Sequence, residues 1–136
     1  MPAPDQLMLT NPQLNLSAPF GMAIVVNTPA THDLSPGAKL VLGSLDCQVF
    51  DTSGHSPGGR SLYFASSGVV VAGDALFEGS IGRTDFPGCD HHRLIKLVCE
   101  NLLTLPEQTV VYSGHGSPTT IGNERKSNPF LSDWKK

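Results

Sequence analysis

The chain has 136 residues, of which 39% are hydrophobic and 15% charged, close to the commonest size of a single domain, so one core is expected. Nine Lys and Arg against twelve Asp and Glu leave a formal net charge of −3, and the basic residues are scattered rather than clustered, which excludes a nucleic-acid footprint. No run approaches the roughly 18 apolar residues of a membrane-spanning helix, and Met1-Pro2-Ala3-Pro4-Asp5 lacks the basic and apolar parts of a secretory leader, so a soluble, cytoplasmic protein is expected.

Residues 1–39 are rich in Pro, Asn, Ser and Thr and read as a weakly structured lead-in, with one apolar run, Met22 to Val26, that suits a strand. From Leu40 the pattern sharpens. Leu40-Val41-Leu42, a Gly43-Ser44 turn, and Leu45, Cys47 and Val49 alternating with polar residues predict a hairpin. A second hairpin is predicted from Leu62-Tyr63-Phe64 and Val69-Val70-Val71, and the unbroken valine run suggests burial on both faces. Between Asp90 and Leu105 the period becomes helical, with Leu94, Leu97, Val98, Leu102 and Leu105 on one stripe, Asp90 as cap and Pro106 as stop. A short strand, Thr109 to Tyr112, runs into Gly114-His115-Gly116, and the tail reads as polar until Phe130-Leu131.

Three cysteines without CxxC spacing argue against disulfides and thiolate zinc. Cys47 and Cys99 read as core residues, and Cys89 as the one open to solvent.

Three polar residues each follow a predicted strand inside a glycine-rich turn: His55 in Gly54-His55-Ser56-Pro57-Gly58, Asp74 in Gly73-Asp74, and His115 in Gly114-His115-Gly116. Two imidazoles and a carboxylate are the ligands that zinc or a similar first-row metal takes when no thiolate is supplied. Taken singly, each dipeptide is also ordinary turn chemistry.

As an ordered set from Asp51 to Leu131, these segments resemble the second half of metallo-β-lactamase-fold hydrolases. Thr52-Ser53-Gly54-His55-Ser56-Pro57-Gly58-Gly59 resembles that family's third-histidine turn, and Ala72-Gly73-Asp74-Ala75-Leu76-Phe77 resembles the strand that ends in its bridging aspartate. Gly79-Ser80-Ile81-Gly82-Arg83-Thr84-Asp85, the Gly-His-Gly turn and Thr119-Thr120-Ile121-Gly122-Asn123-Glu124 are similar to the glyoxalase II-like branch.

The resemblance implies an α/β (α+β) fold, half of a four-layer αββα sandwich, with one mainly antiparallel or mixed sheet, one amphipathic helix and an irregular N-terminal segment. Residues 1–136 would be a single incomplete domain, with 40–131 as the C-terminal half of the fold. It implies that His55 binds a first metal, Asp74 bridges two, and His115 completes the second, with zinc as the metal and iron or manganese as alternatives. The implied activity is hydrolysis of a small thioester or ester by a metal-bound hydroxide. The HxHxDH cluster that supplies the family's remaining ligands is absent, and His32 lacks its spacing.

Weak metal binding by the chain alone is therefore expected, together with self-association or a complementary N-terminal half, because the sheet would expose a face the other half normally covers. Arg83 and Asp85 are expected to pair and brace the loop after Asp74, and Phe77 and Tyr112 to line a pocket. His91 and His92, at the helix start, read as solvated residues. The competing readings are a non-catalytic remnant or interaction domain and an iron-dependent persulfide dioxygenase-like enzyme.

Overall fold

The computed structural model describes residues 1–132. The predicted hairpins form. Strands β1 (Lys39–Leu42) and β2 (Leu45–Asp51) pair antiparallel across Gly43-Ser44. Strands β3 (Arg60–Phe64) and β4 (Val69–Gly73) pair antiparallel across a 3-10 turn that Gly68 closes at φ +61°. After β4 come two short strands, β5 (Leu76–Phe77) and β6 (Ser80–Ile81), which form a separate two-stranded ribbon. Helix α1 (His91–Leu97) then carries the chain over the sheet to β7 (Val110–Ser113), which runs parallel to β4. The edge strand β8 (Thr119–Thr120) leads directly into helix α2 (Ile121–Ser127). The main sheet is thus six-stranded and mixed, in the order β1-β2-β3-β4-β7-β8, in line with the expected class.

One face of this sheet carries the core. Val70, Ala72 and Val111 point at Leu94, Val98 and Leu102, all with 1% exposure or less, and Ile121 and Leu131 close the cluster. Burying each of the larger aliphatic side chains contributes roughly 1.5–3 kcal/mol. The Asp90 carboxylate accepts from the Arg93 amide at 2.9 Å, so the predicted cap starts α1 as expected. Beyond Leu97 the rod continues as a π turn, Val98–Leu102, and stops short of Pro106.

Three expectations are corrected. Met22 to Val26 is not a strand. Its backbone is satisfied locally, the Ile24 amide by Ser17 Oγ at 3.0 Å, the Ile24 carbonyl by Asn15 Nδ2 at 3.0 Å and the Val26 amide by the Leu9 carbonyl at 2.7 Å. The valine run is not buried on both faces: Val70 is fully buried while Val71 is 41% exposed, because one face has helices over it and the other has only part of the lead-in. The tail holds a second helix besides the one expected, since Thr120 accepts from the Asn123 amide at 3.2 Å and caps α2.

Buried Thr109 Oγ1 has no hydrogen-bond partner. The shape-preserving change Thr109→Val removes this unpaired hydroxyl and is expected to raise unfolding stability by about 1 kcal/mol; a urea titration showing a loss would contradict this account of the site.

Candidate metal centre

His55 sits in a turn laid directly on the start of α1. Gly54 adopts φ +138°, and a Cβ there would lie 2.5 Å from Leu94 Cβ and 2.6 Å from the Asp90 carbonyl oxygen, so only glycine allows this approach. The Asp90 amide donates to the Gly54 carbonyl at 2.8 Å, and Cys89 Sγ donates to the His55 carbonyl at 2.9 Å. Cys89 is thus partly buried with its thiol engaged, while Cys47 and Cys99 lie in the interior as expected. Burial pushes the Cys99 thiol up to about 11, so it is not a ready thiolate.

The His55 ring is oriented from behind. Its Nδ1 lies 2.9 Å from the Arg83 carbonyl oxygen, which can only accept, so Nδ1 carries the proton and donates. The opposite nitrogen, Nε2, faces Asp74 Oδ2 at 3.5 Å, with both side chains about one-third exposed. Both atoms offer lone pairs toward the space between them, so a cation placed there would be held by an imidazole nitrogen and a carboxylate oxygen together.

Asp74 follows β4 and rests on the turn before His115. The Gly114 amide donates to the Gly73 carbonyl at 2.9 Å, and a side chain on Gly114 would collide with Asp74 Oδ1. Gly82 is wedged between the Asp74 carbonyl and the His55 side chain, with no room for a Cβ. His115 lies at the end of β7, its ring 4.5 Å from the Phe77 ring and tilted 37° to it.

His55, Asp74, Phe77, Arg83 and His115 line one cleft of about 470 Å³. The three residues predicted as ligands therefore share a cavity, but they do not close into a cluster: among the described residues, no group of three or more His, Cys, Asp or Glu converges tightly enough to hold a metal. Two donors stand face to face, and the third lines the same cleft.

Arg83 and Asp85 pair through two contacts of 2.7 Å, and the Arg83 guanidinium also lies 3.9 Å from the centre of the Phe86 ring. That arrangement braces the loop whose carbonyl holds His55. Tyr112, by contrast, does not line the cleft. Val111 points into the core, so its neighbour emerges on the opposite face of the sheet, 48% exposed. His91 bonds to Thr84 Oγ1 at 3.0 Å and, like His92, is exposed outside the cleft.

Two contributors escaped the sequence reading. Asp5, in the 3-10 turn Ala3–Leu9, accepts from Ser56 Oγ at 2.8 Å and from the Gly58 amide at 2.7 Å, clasping the turn after His55. No local signal in the lead-in announces this contact, which spans over fifty residues. Glu124, 2% exposed, accepts from the Gly79 amide and from Thr119 Oγ1, each close in sequence to residues that line the cleft.

The model of the metallo-beta-lactamase superfamily matches residues 1–115, and the chain belongs to that family. Among curated relatives, it is 40% identical over 91% of its length to the probable metallo-hydrolase YqgX of Bacillus subtilis, and 42% identical over 71% to the hydroxyacylglutathione hydrolase GloC of Haemophilus influenzae. It spans 59% and 45% of those two proteins. Among solved structures, the BLEG-1 B3 metallo-beta-lactamase superposes with a TM-score of 0.92 at 43% identity, over 97% of this chain and 64% of that one. TTHA1623, solved in a di-iron-bound form, gives 0.82 at 37% identity, over 96% and 63%. The resemblance to the metallo-β-lactamase fold and the mixed, mainly antiparallel sheet agree with these relatives. No helix among the described residues is long and apolar enough to cross a membrane.

The Asp85 carboxyl is lowered to about 2, chiefly by its hydrogen bonds from Arg83. Since the folded value lies below the free one, the pairing is fully present above pH 3.8 and is lost as pH falls toward 2. In Arg83→Gln the Asp85 titration midpoint, followed by carboxyl-carbon NMR, should rise from about 2 toward 3.8; an unchanged midpoint would show that Arg83 is not the cause.

Proposed function

We propose that this chain is the metal-binding C-terminal part of a hydrolase acting on a small thioester or ester. The observation that carries the reading is the opposition of His55 Nε2 and Asp74 Oδ2, with Nδ1 already committed to a carbonyl. A histidine fixed through its far nitrogen is the usual arrangement of a metal ligand, and an imidazole with a carboxylate suits zinc, iron or manganese. His55, Asp74 and His115 would hold the ions, which supply a more acidic water and a Lewis acid for the acyl carbonyl.

The protein's own contribution is positional. The Arg83 carbonyl sets the His55 tautomer, Asp74 is seated against Gly114, and Phe77 offers an apolar surface beside His115 for the acyl group. GloC's name as a hydroxyacylglutathione hydrolase and the di-iron form of TTHA1623 favour thioesters and leave the metal open between zinc and iron. Nothing in the cleft favours glutathione in particular.

Three donors from this chain fall short of what two ions need, so the activity requires the HxHxDH half, supplied in the same polypeptide or by another. The sheet face away from the helices fits such a partner, or a second copy, since Val71, Tyr112, Leu42 and Leu45 are 40–67% exposed there. The lack of a converged three-donor group favours one second reading for the chain by itself: a non-catalytic interaction domain of the same fold.

The purified chain is expected to lose zinc or iron on dialysis and to leave a thioester intact. Added to a polypeptide carrying the HxHxDH half of a relative, it should restore turnover, and Asp74→Ala should abolish it. Turnover that survives Asp74→Ala, or none under any metal with the half supplied, would sink the hydrolase reading.

A further inference from the structure

Glu124 is 2% exposed and takes no part in the chemistry described above. Its carboxylate accepts three hydrogen bonds. Thr119 Oγ1 donates to Oε1 at 2.7 Å, and the Gly79 amide and Asn128 Nδ2 donate to Oε2 at 3.0 and 2.8 Å. Asn128 Nδ2 also donates to the Ser80 carbonyl at 3.0 Å.

Two of the three donors, Gly79 and Thr119, belong to the segments that carry the facing rings of the cleft, and the third, Asn128, ends α2. Phe77 lies two residues before Gly79, and His115 four residues before Thr119, so both strands of chain that leave the Phe77–His115 contact arrive at one buried carboxylate. The β5–β6 turn is short and pairs only with itself. Leu76 and Ile81 anchor its base in the core and Ser113 Oγ donates to the Leu76 carbonyl at 2.6 Å, while the hydrogen bonds from Gly79 and to Ser80 tie down its tip. Burying an acceptor is favourable while its donors stay paired, and each bond lost leaves part of the carboxylate unsatisfied.

We infer that Glu124 is a positioning residue of the cleft: it ties the Gly79 turn to Thr119 and thereby keeps the Phe77 ring against His115. The inference deepens the reading above, in that it assigns what shapes the wall on which an acyl group would lie, and it acts through Phe77 and His115 rather than on a substrate.

The metal-free chain of residues 1–136 tests this directly, with histidine ring resonances and the Phe77–His115 ring-to-ring NOE as readout. In Glu124→Gln the side-chain oxygen can accept from Gly79 and Asn128 while its amide donates to the Thr119 hydroxyl, so the NOE is expected to persist. In Glu124→Ala it should vanish, with His115 ring protons moving downfield out of the Phe77 ring current and His55 unmoved. Val98→Ala, a core change away from this clasp, should lower the unfolding midpoint yet keep the NOE. A wild-type NOE in Glu124→Ala, or an equal loss in Val98→Ala, would overturn the inference. If Glu124→Ala does not fold, Thr119→Val stands in for it: a weakened NOE is expected, and an unchanged one overturns the inference. Because no metal or substrate is present, the outcome is separate from the hydrolase reading, which would fail through absent turnover while the NOE stayed intact.

Discussion

The Arg83 carbonyl oxygen fixes which way the His55 imidazole can act. By accepting from Nδ1 it leaves Nε2 as the free nitrogen and aims it across the cleft at the Asp74 carboxylate. Everything nearby serves that alignment. The Arg83–Asp85 pair and the Arg83–Phe86 contact steady the loop that carries the carbonyl, Cys89 and Asp90 hold the turn that carries the ring, and Asp5 clasps the same turn from the lead-in. A site of this kind is organised from its surroundings before any ion arrives, which is how preorganised ligand sets limit the cost of binding.

Close backbone approach is the second constraint, and it explains why the chemistry lies in glycine-flanked turns. Gly54 rests on α1, Gly82 fits between Asp74 and His55, and Gly114 abuts the Asp74 carboxylate. A methyl group at any of the three would push a candidate ligand away from its partner. The sheet supplies the rest: β4 and β7 are parallel neighbours, so the turns after them, bearing Asp74 and His115, open on the same end of the sheet. Antiparallel neighbours would have sent the two turns to opposite ends.

Much of this was legible in the residues, and for physical reasons. Period-two alternation around Cys47 and Val49, the Gly68 turn and the Asp90 cap are local signals, and local signals predicted β1 to β4 and α1. The ligand candidates were legible as glycine-flanked polar residues at strand ends. What failed was decided at long range. Met22 to Val26 has strand-like residues, but Ser17, Asn15 and Leu9 satisfy its backbone. Val71 and Tyr112 look like core or pocket residues until the layers on each face of the sheet are known. Asp5 and Glu124 are ordinary acidic residues in sequence, and only their partners, more than fifty and forty-five positions away for Gly58 and Gly79, give them a role. Thr120 ahead of Asn123 is a capping signal that could have announced α2.

Family membership and the fold rest on matches over most of this chain, and the chain spans 59% and 45% of YqgX and GloC, so the centre is described through the part that this chain builds. The central claim is that His55 is set in advance, Nδ1 protonated and Nε2 turned toward Asp74, to meet a cation. Long-range nitrogen–proton NMR of the histidine rings tests this most directly, first without metal and then with zinc added. The account predicts the Nδ1–H form of His55 in the metal-free chain and a zinc-induced shift at its Nε2 that disappears in Asp74→Asn. An Nε2–H tautomer, or zinc shifting His32, His91 and His92 while His55 stays unmoved, would contradict it.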